Sequence, residues 1–400
     1  MDKRRFIVGP ETVRMLELGH PWVVADRYTK KWPAAQAGEV VDLCDEKGRG
    51  LAAALLDPAE RIAARVLGPP GTRPGRTWME KSLERAVALR RDYLDLSDTT
   101  AYRLVNGEGD GLPGLTVDRY GEHLMVQSFS AAWRPHLPLL VQALQRLEDP
   151  AGIYEKLRPQ QTRKLAAKGG SKRYSRLLAG SAAPGRLPVL ENGLTFMVEL
   201  EEGLNTGLFL DQRTNRRDLA ARLSGKSFLN LFAYTGAFSV AAAAAGASRV
   251  TSVDASTGYL DWARDNFAAN RLNPKRHEFI AGDCFKALEA MAKEGRRFDA
   301  ILMDPPSFST TKKSRFTTRG GTSDLVAAAL ALLPPGGLLV TCSNHQKVDW
   351  ADYLKELRRG ALQAGCELRV IGTAGQPEDF PYPVSFPEGR YLKYVVGVRG

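Results

Sequence analysis

Apolar and polar positions alternate over short runs up to about residue 68, at Glu39–Leu43, Gly50–Ala54 and Ile62–Leu67. Runs of this kind between turn signals predict strands, and together they predict a small β-rich module. Gly68-Pro69-Pro70-Gly71-Thr72-Arg73-Pro74-Gly75 then forms a stiff, helix-breaking linker. From Trp78 to Leu94 the pattern changes: Leu83, Val87, Leu89 and Leu94 fall roughly a turn apart, which predicts a helix. Beyond it, Arg103–Asp118 carries Asn106-Gly107 and Asp110-Gly111 between apolar runs, the signature of a hairpin.

From about Glu191 short apolar runs alternate with helical stretches. The runs are Ser227–Phe232, Arg249–Val253, Glu278–Ile280, Phe298–Met303, Gly337–Thr341 and Glu367–Ile371, and Tyr391–Val398 is a last strand. The intervening helices include Thr257–Asn270, Thr322–Leu333 and Trp350–Ala364. Repeated strand–helix units predict an α/β fold with a parallel sheet covered on both faces, and its site at the carboxyl ends of the strands. The expected division is 1–74, a β module; 75–190, an α+β middle domain; and 191–400, the α/β domain.

Composition adds charge. The 400 residues are 44% hydrophobic and 25% charged, an ordinary globular balance, and no apolar run approaches the roughly 20 residues of a membrane span. The start, Met1-Asp2-Lys3-Arg4-Arg5, lacks the apolar core of a signal peptide. Cys44, Cys284, Cys342 and Cys366 have no metal-ligand spacing, so no metal site is expected and a reducing cytoplasm is. The net charge of +11 calls for an anionic partner. Between Leu157 and Leu190 eight basic residues, among them Lys172, Arg173 and Arg176, meet no acidic one. That stretch reads as a mobile basic arm for a phosphate backbone.

The strand ends carry the chemistry. Asn230-Leu231-Phe232-Ala233-Tyr234-Thr235-Gly236 follows the first strand of the α/β domain and is not GxGxxG. One glycine suits a ligand without a pyrophosphate. Asp254, eighteen residues beyond Gly236, ends the second strand, where it can accept ribose hydroxyls. Asp283 follows the third and can accept an adenine amine; Asp304-Pro305-Pro306-Ser307-Phe308 follows the fourth. Any one of these aspartates could simply cap a helix, but four elements in order on successive strands form a set.

That set resembles the class I S-adenosylmethionine-dependent methyltransferases, with Phe232, Tyr234, Gly236, Asp254, Asp283 and Asp304 on the cofactor. The Asp-Pro-Pro-x-Phe element is similar to those of enzymes acting on a nucleobase. Pro305 would offer its carbonyl to the base edge and Phe308 a stacking face. Glu202–Arg216, with Leu210-Asp211-Gln212-Arg213 at its centre, resembles a signature of the large-subunit rRNA methyltransferase I/K family, as does Arg103–Asp118. Gly19-His20-Pro21-Trp22-Val23 resembles the start of that family's PUA module, a small RNA-binding β-barrel. The resemblance implies a Rossmann-like methyltransferase domain preceded by a PUA-like barrel and a middle domain. It also implies S-adenosylmethionine as cofactor, Gln212 as a polar contact to it, and 23S ribosomal RNA, free or in a precursor particle, as partner. Lys312 and Arg319 join the candidate RNA contacts, and a homodimer is compatible with it. By capping logic, Asp211 should begin a helix whose apolar face is Leu219 and Leu223.

The base is the open question. Cytosine C5 must be activated by a cysteine thiolate adding to C6. The family's cytosine-specific members carry a motif like T-C-S-C-S after the fifth strand, and its second cysteine is the nucleophile. Here the run is Thr341-Cys342-Ser343-Asn344-His345, so Asn344 falls on that position and Cys342 on the first cysteine. Guanine N7 needs only in-line positioning, and Ser343-Asn344 is similar to the guanine-N7 branch. The favoured reading is guanine N7; cytosine C5 through Cys342, an exocyclic amine received by Asp304-Pro305-Pro306, and a non-catalytic RNA-binding protein remain alternatives. A nicotinamide oxidoreductase is disfavoured by the missing GxGxxG.

Overall fold

The computed structural model describes residues 5–156, 174–306, 309–310, 315–316 and 321–400, folded as two compact units. The first comprises 1–189, 199–206 and 378–389; the second comprises 190–198, 207–377 and 390–400.

In the first unit, β1 (Phe6–Ile7), α1 (Pro10–Glu17), β2 (Trp22–Val24), β3 (Val40–Cys44), β4 (Gly50–Leu56) and β5 (Ile62–Gly68) build a five-stranded sheet ordered β1-β3-β4-β5-β2. The three expected strands are present. Helix α1 was not anticipated; Val13 and Leu16 pack it against Phe6, Val23 and Leu43. Next come α2 (Arg76–Tyr93), β6 (Ala101–Asn106), β7 (Leu115–Tyr120), β8 (His123–Ser128), α3 (Leu137–Glu148), β9 (Gly152–Lys156) and β10 (Ser175–Gly180). Their strands form a second sheet ordered β10-β9-β8-β7-β6. Met79 and Leu83 of α2 and Leu140 and Leu144 of α3 bury against Leu104, Val117, Leu124 and Ile153, and Leu55 and Leu67 of the first sheet join the same core.

Two expectations need correction here. Strands β6 and β7 do pair antiparallel, with Arg103 opposite Asp118, but no tight two-residue turn joins them. Gly107–Asp110 winds into a 3-10 turn instead. Asp110 holds it, accepting Asn106 N at 2.6 Å and the buried Arg90 Nη1 at 2.6 Å. Likewise, the part of the basic stretch around Arg176 is a strand and not a free arm. Ser175–Gly180 pairs with β9, and Arg176 donates to Glu155 at 2.6 Å. Lys172 and Arg173 lie outside the described residues.

A two-stranded ribbon, β11 (Leu187–Glu191) and β12 (Leu194–Val198), precedes the second unit's sheet. Then follow α4 (Arg213–Ala220), β13 (Ser227–Leu231), α5 (Ala237–Ala244), β14 (Arg249–Asp254), α6 (Thr257–Ala269), β15 (Glu278–Ala281), α7 (Cys284–Lys293) and β16 (Ala300–Met303). The chain continues with the short β17 (Ser309–Thr310) and β18 (Arg315–Phe316), then α8 (Gly321–Ala331), β19 (Leu338–Ser343), α9 (Trp350–Gln363), β20 (Leu368–Ala374) and β21 (Lys393–Arg399). Seven strands make one sheet, ordered β15-β14-β13-β16-β19-β21-β20, in which β21 runs against its neighbours. Alternate residues serve alternate faces. Leu229, Ile301 and Leu339 pack on Leu288 of α7, Leu325 of α8 and Leu357 of α9. Phe228, Leu302, Val340 and Cys342 pack on Leu219 and Phe238, beside α4 and α5. Strand order reverses between β13 and β16, which is where such sheets bind ligands.

Helix α4 is anchored by an ion pair. Arg216, 2% exposed, donates from Nε and Nη2 to Glu191 at 2.6 and 2.5 Å, and Glu191 is 1% exposed. Removing one partner of a buried pair costs about 3–5 kcal/mol, whereas an apolar pair of matching volume is tolerated. Glu191→Ala should therefore lose about that much unfolding free energy in a urea titration. A Glu191→Leu/Arg216→Met double variant should recover most of it.

Candidate active site at the carboxyl ends of the strands

After β13 the chain turns sharply through residues in the left-handed region: Phe232 at φ +59°, Tyr234 at +51° and Gly236 at +74°. Two such non-glycine residues cost about 1–3 kcal/mol each, and the surrounding bonds hold them there. Ala233 N donates to Val253 O at 2.9 Å, and Tyr234 N donates to Asp254 Oδ2 at 2.9 Å. Thr235 Oγ1 donates to Gly207 O at 2.6 Å, and Asn266 Nδ2 donates to Thr235 O at 2.8 Å. Gly236 is required twice over: its φ is left-handed, and a Cβ there would lie 2.7 Å from the Ala263 Cβ. Tyr234 sits between two rings, Phe209 at 5.2 Å and Tyr259 at 4.6 Å between centroids. Burial pushes the Tyr234 hydroxyl up, so it stays a phenol.

The neighbouring strand ends carry carboxylates. Asp254 ends β14; its Oδ1 accepts Ser256 N at 2.9 Å, so each oxygen takes one backbone bond and keeps a second lone pair. Asp254 is the register partner of Ala281, two residues before Asp283. Asp283 caps α7 through Oδ1, from Phe285 N at 3.0 Å and Lys286 N at 3.2 Å; Oδ2 takes part in neither bond. The helix-capping role weighed from sequence is therefore present, and it leaves acceptor capacity over.

Asp304 follows β16 and is half-buried, with Pro305 buried beside it. Gln212 Nε2 donates to Asp304 Oδ2 at 3.0 Å, and Gln212 Oε1 accepts Asn215 Nδ2 at 2.7 Å. Gln212 is 3% exposed, so it spends its amide on positioning Asp304. Burial, and then the nearby Asp211, raise the Asp304 carboxyl to about 7, against the pull of Gln212 and Arg216. Asp211 does not stand at the cap of α4: Gln212 occupies that position, and Asp211 Oδ2 accepts the Tyr391 hydroxyl at 2.7 Å. Leu219 and Leu223 are buried as expected.

Strand β19 delivers Cys342 and Asn344 differently. Cys342, 1% exposed, packs in the core with Tyr394 and Val396, and burial raises its thiol well above the ordinary range. Asn344 is exposed just beyond the strand. Cys284 is also buried, its thiol pushed up to about 12. Phe308, Lys312 and Arg319 lie outside the described residues. The structure thus brings together Gln212 and Asp304, with the buried Cys342 thiol beside them at the edge of the core, and Phe232, Tyr234, Gly236 and Asp254. Sequence reasoning did not single out Asn215, although it falls within the Glu202–Arg216 signature, and missed Tyr259, Tyr391 and Lys393, which carry no motif of their own.

Three half-buried carboxylates at the ends of β14, β15 and β16, aromatic faces and the single-glycine turn after β13 suit a cationic ligand with a ribose and an amine. S-adenosylmethionine has those features: Asp254 can take its ribose, Asp283 its adenine amine and the Asp304 side its sulfonium end. Residues 103–385 match the model of the S-adenosylmethionine-dependent methyltransferases, and residues 6–69 match that of a PUA-like domain. Fold and site together define an S-adenosylmethionine-dependent methyltransferase with an N-terminal PUA-like domain. The proteins named "Ribosomal RNA large subunit methyltransferase I" of Erwinia tasmaniensis and Escherichia coli O139:H28 are 36% and 35% identical. Each comparison covers 97% of this chain and 98% of the relative. The chain belongs to the ribosomal RNA large subunit methyltransferase I family. Among solved structures, the methyltransferase SMU.776 complexed with SAH superposes with a TM-score of 0.89 at 28% identity. A SAM-dependent methyltransferase from Streptococcus mutans gives 0.86 at 27%, and both comparisons cover 99% of this chain and 100% of the other.

A carboxyl raised from 3.8 to about 7 binds its proton in the folded chain across that interval, whereas the unfolded chain has released it. Asp304 therefore makes stability fall as pH rises from about 4 to 7 and has no further effect above. In urea titrations across pH, Asp304→Asn should lack this component. The variant should gain on the parent up to about pH 7, after which the difference should level off.

Proposed function

We propose that this chain methylates guanine N7 in 23S ribosomal RNA. The carrying observation is the state of β19: Cys342 is buried with a raised thiol, and the position two residues on is the exposed Asn344. Cytosine C5 chemistry requires a thiolate that reaches the base, and Cys284, near the cofactor loop, is likewise buried and protonated. Guanine N7 requires no covalent help. Its lone pair attacks the methyl carbon in line as the carbon–sulfur bond breaks, leaving a cationic guanine and S-adenosylhomocysteine. In this reading Asn344 hydrogen-bonds the guanine edge, and Pro305 and Phe308 hold the base. Asp254, Asp283 and the Phe232–Gly236 turn hold the cofactor, and Gln212 acts by fixing Asp304. The names of the relatives support ribosomal RNA as substrate, which carries a cytoplasmic site of action with it. No helix among the described residues is long and apolar enough to cross a membrane.

RNA would be gripped by the PUA-like module, residues 1–74, by the basic run that includes Lys172, Arg173 and Arg176, and by Lys312 and Arg319. Arg176 is 60% exposed, so a phosphate can compete for it with Glu155.

Nucleoside mass spectrometry of 23S rRNA incubated with enzyme and labelled cofactor should give 7-methylguanosine. Label in 5-methylcytidine or an N-methylated base overturns the assignment. Cys342→Ala should keep most transfer, with a stability loss of about 1 kcal/mol, and 5-fluorocytidine RNA should form no adduct.

For the basic run, each phosphate contact contributes about 0.7–0.9 to the slope of log affinity against log salt. Neutralising Lys172, Arg173 and Arg176 together should flatten that slope by about two to three in filter-binding titrations while cofactor affinity stays constant. An unchanged slope would remove the run from the interface.

A further inference from the structure

At the start of β21 lies a charged side chain that no motif announces. Lys393 is 3% exposed and sits directly opposite Ser343, the last residue of β19. Its Nζ lies 3.1 Å from His345 O and 3.1 Å from Tyr391 O. The first carbonyl belongs to the residue after Asn344. The second belongs to the tyrosine whose hydroxyl donates to Asp211 at 2.7 Å, in the turn that supplies Gln212 to Asp304.

Burying an ammonium is costly, and a methionine of similar shape would pack in its place without that cost. Burial indeed shifts the Lys393 amine downward. What the ammonium provides is three charge-assisted donors that can hold two backbone carbonyls at once. Local bonds also build the turn after β19: His345 N to Ser343 Oγ at 3.3 Å, Lys347 N to His345 Nδ1 at 3.2 Å and Val348 N to His345 O at 3.2 Å. Lys393 adds a tie from 48 residues away.

We propose that Lys393 is a positioning residue for methyl transfer, clamping the Asn344–His345 turn to the Tyr391 backbone so that Asn344 stands at a fixed place just past the end of β19. The inference rests on the reading of Asn344 as the group that meets the base. Lys393 touches neither base nor cofactor; it acts through the backbone carbonyls.

The test compares Lys393→Met, Lys393→Arg, Asn344→Ala and the Asn344→Ala/Lys393→Met double variant. It reads kcat and KM on rRNA, cofactor affinity by calorimetry and thermal melting. Lys393→Met should lower kcat about tenfold to a hundredfold with cofactor affinity within twofold, and Lys393→Arg should recover part of the loss. The double variant should be no slower than Asn344→Ala, because a clamp has nothing to position once the side chain is gone. If Lys393→Met keeps full kcat, or if its loss multiplies in full with that of Asn344→Ala, the clamp is overturned. A fully active Asn344→Ala enzyme instead overturns the base reading itself. Should Lys393→Met fail to melt cooperatively, Lys393→Gln, which can still serve one carbonyl, takes its place under the same criteria.

Discussion

The site depends on a guanidinium that has been taken out of water. Arg216 gives two bonds to Glu191, and Nη2 also donates to Phe209 O at 2.7 Å. The pair thereby fixes the backbone just ahead of the Leu210–Gln212 turn. That turn brings Gln212 to Asp304, Asp211 to Tyr391 and the Phe209 ring to Tyr234. Arg216 also pulls down the Asp304 carboxyl, against burial and Asp211, which raise it. One buried cation thus acts on the position of the loop and on the charge of the acid it faces. Were Arg216 neutral, Glu191 would be a buried charge without its counterion, and the turn would lose its anchor.

Much of the sheet and the order of its strand ends could be read from the chain. Strands such as Arg249–Asp254 and helices such as Trp350–Gln363 fall within a residue or two of their expected bounds, because burial on one face or stripe imposes a period that the residues display locally. The carboxylates at the ends of β14, β15 and β16 were legible for the same reason: each is adjacent in sequence to the strand that presents it. The partners that define their state were not. Gln212 and Asp304 are 92 residues apart, Tyr391 and Asp211 180, and no local period encodes such a meeting. Asp211 shows the limit most plainly: its local role predicts a helix cap, and the Tyr391 hydroxyl claims its Oδ2 instead. The turn at Gly107–Asp110 failed similarly, because Arg90 on α2 recruits the aspartate that the hairpin reading assigned to a tight turn.

Aspartates at strand ends invite a choice between helix cap and ligand, and the geometry dissolves it. A carboxylate has about four acceptor sites. Asp283 uses one oxygen on two amides of α7, and Asp254 uses one bond on each oxygen to hold Tyr234 and Ser256. The bonds to the protein fix the direction in which the remaining lone pairs point. A capping role of this kind leaves the carboxylate preorganised, so it does not compete with a ligand for the same lone pairs.

The chemistry open to β19 follows from its register. Cys342 faces Tyr394 across the β19–β21 pair, with Val340 facing Val396 two residues earlier, and all four sit in one core cluster. Side chains along a strand alternate, so Cys342 keeps the face of Val340. The end of this ladder is closed by Lys393, opposite Ser343, with bonds beyond the strand. Advancing the Cys342 sulfur to the Asn344 position requires two residues of strand, about 6–7 Å, or a slip of the pairing that would also displace Val340 and Leu339 from their cores. A thiol so placed is kept protonated by the same burial that makes it a good packing residue. The register therefore leaves the thiol buried within the strand and an exposed amide side chain just past its end, and an amide can hydrogen-bond a base but cannot add to it.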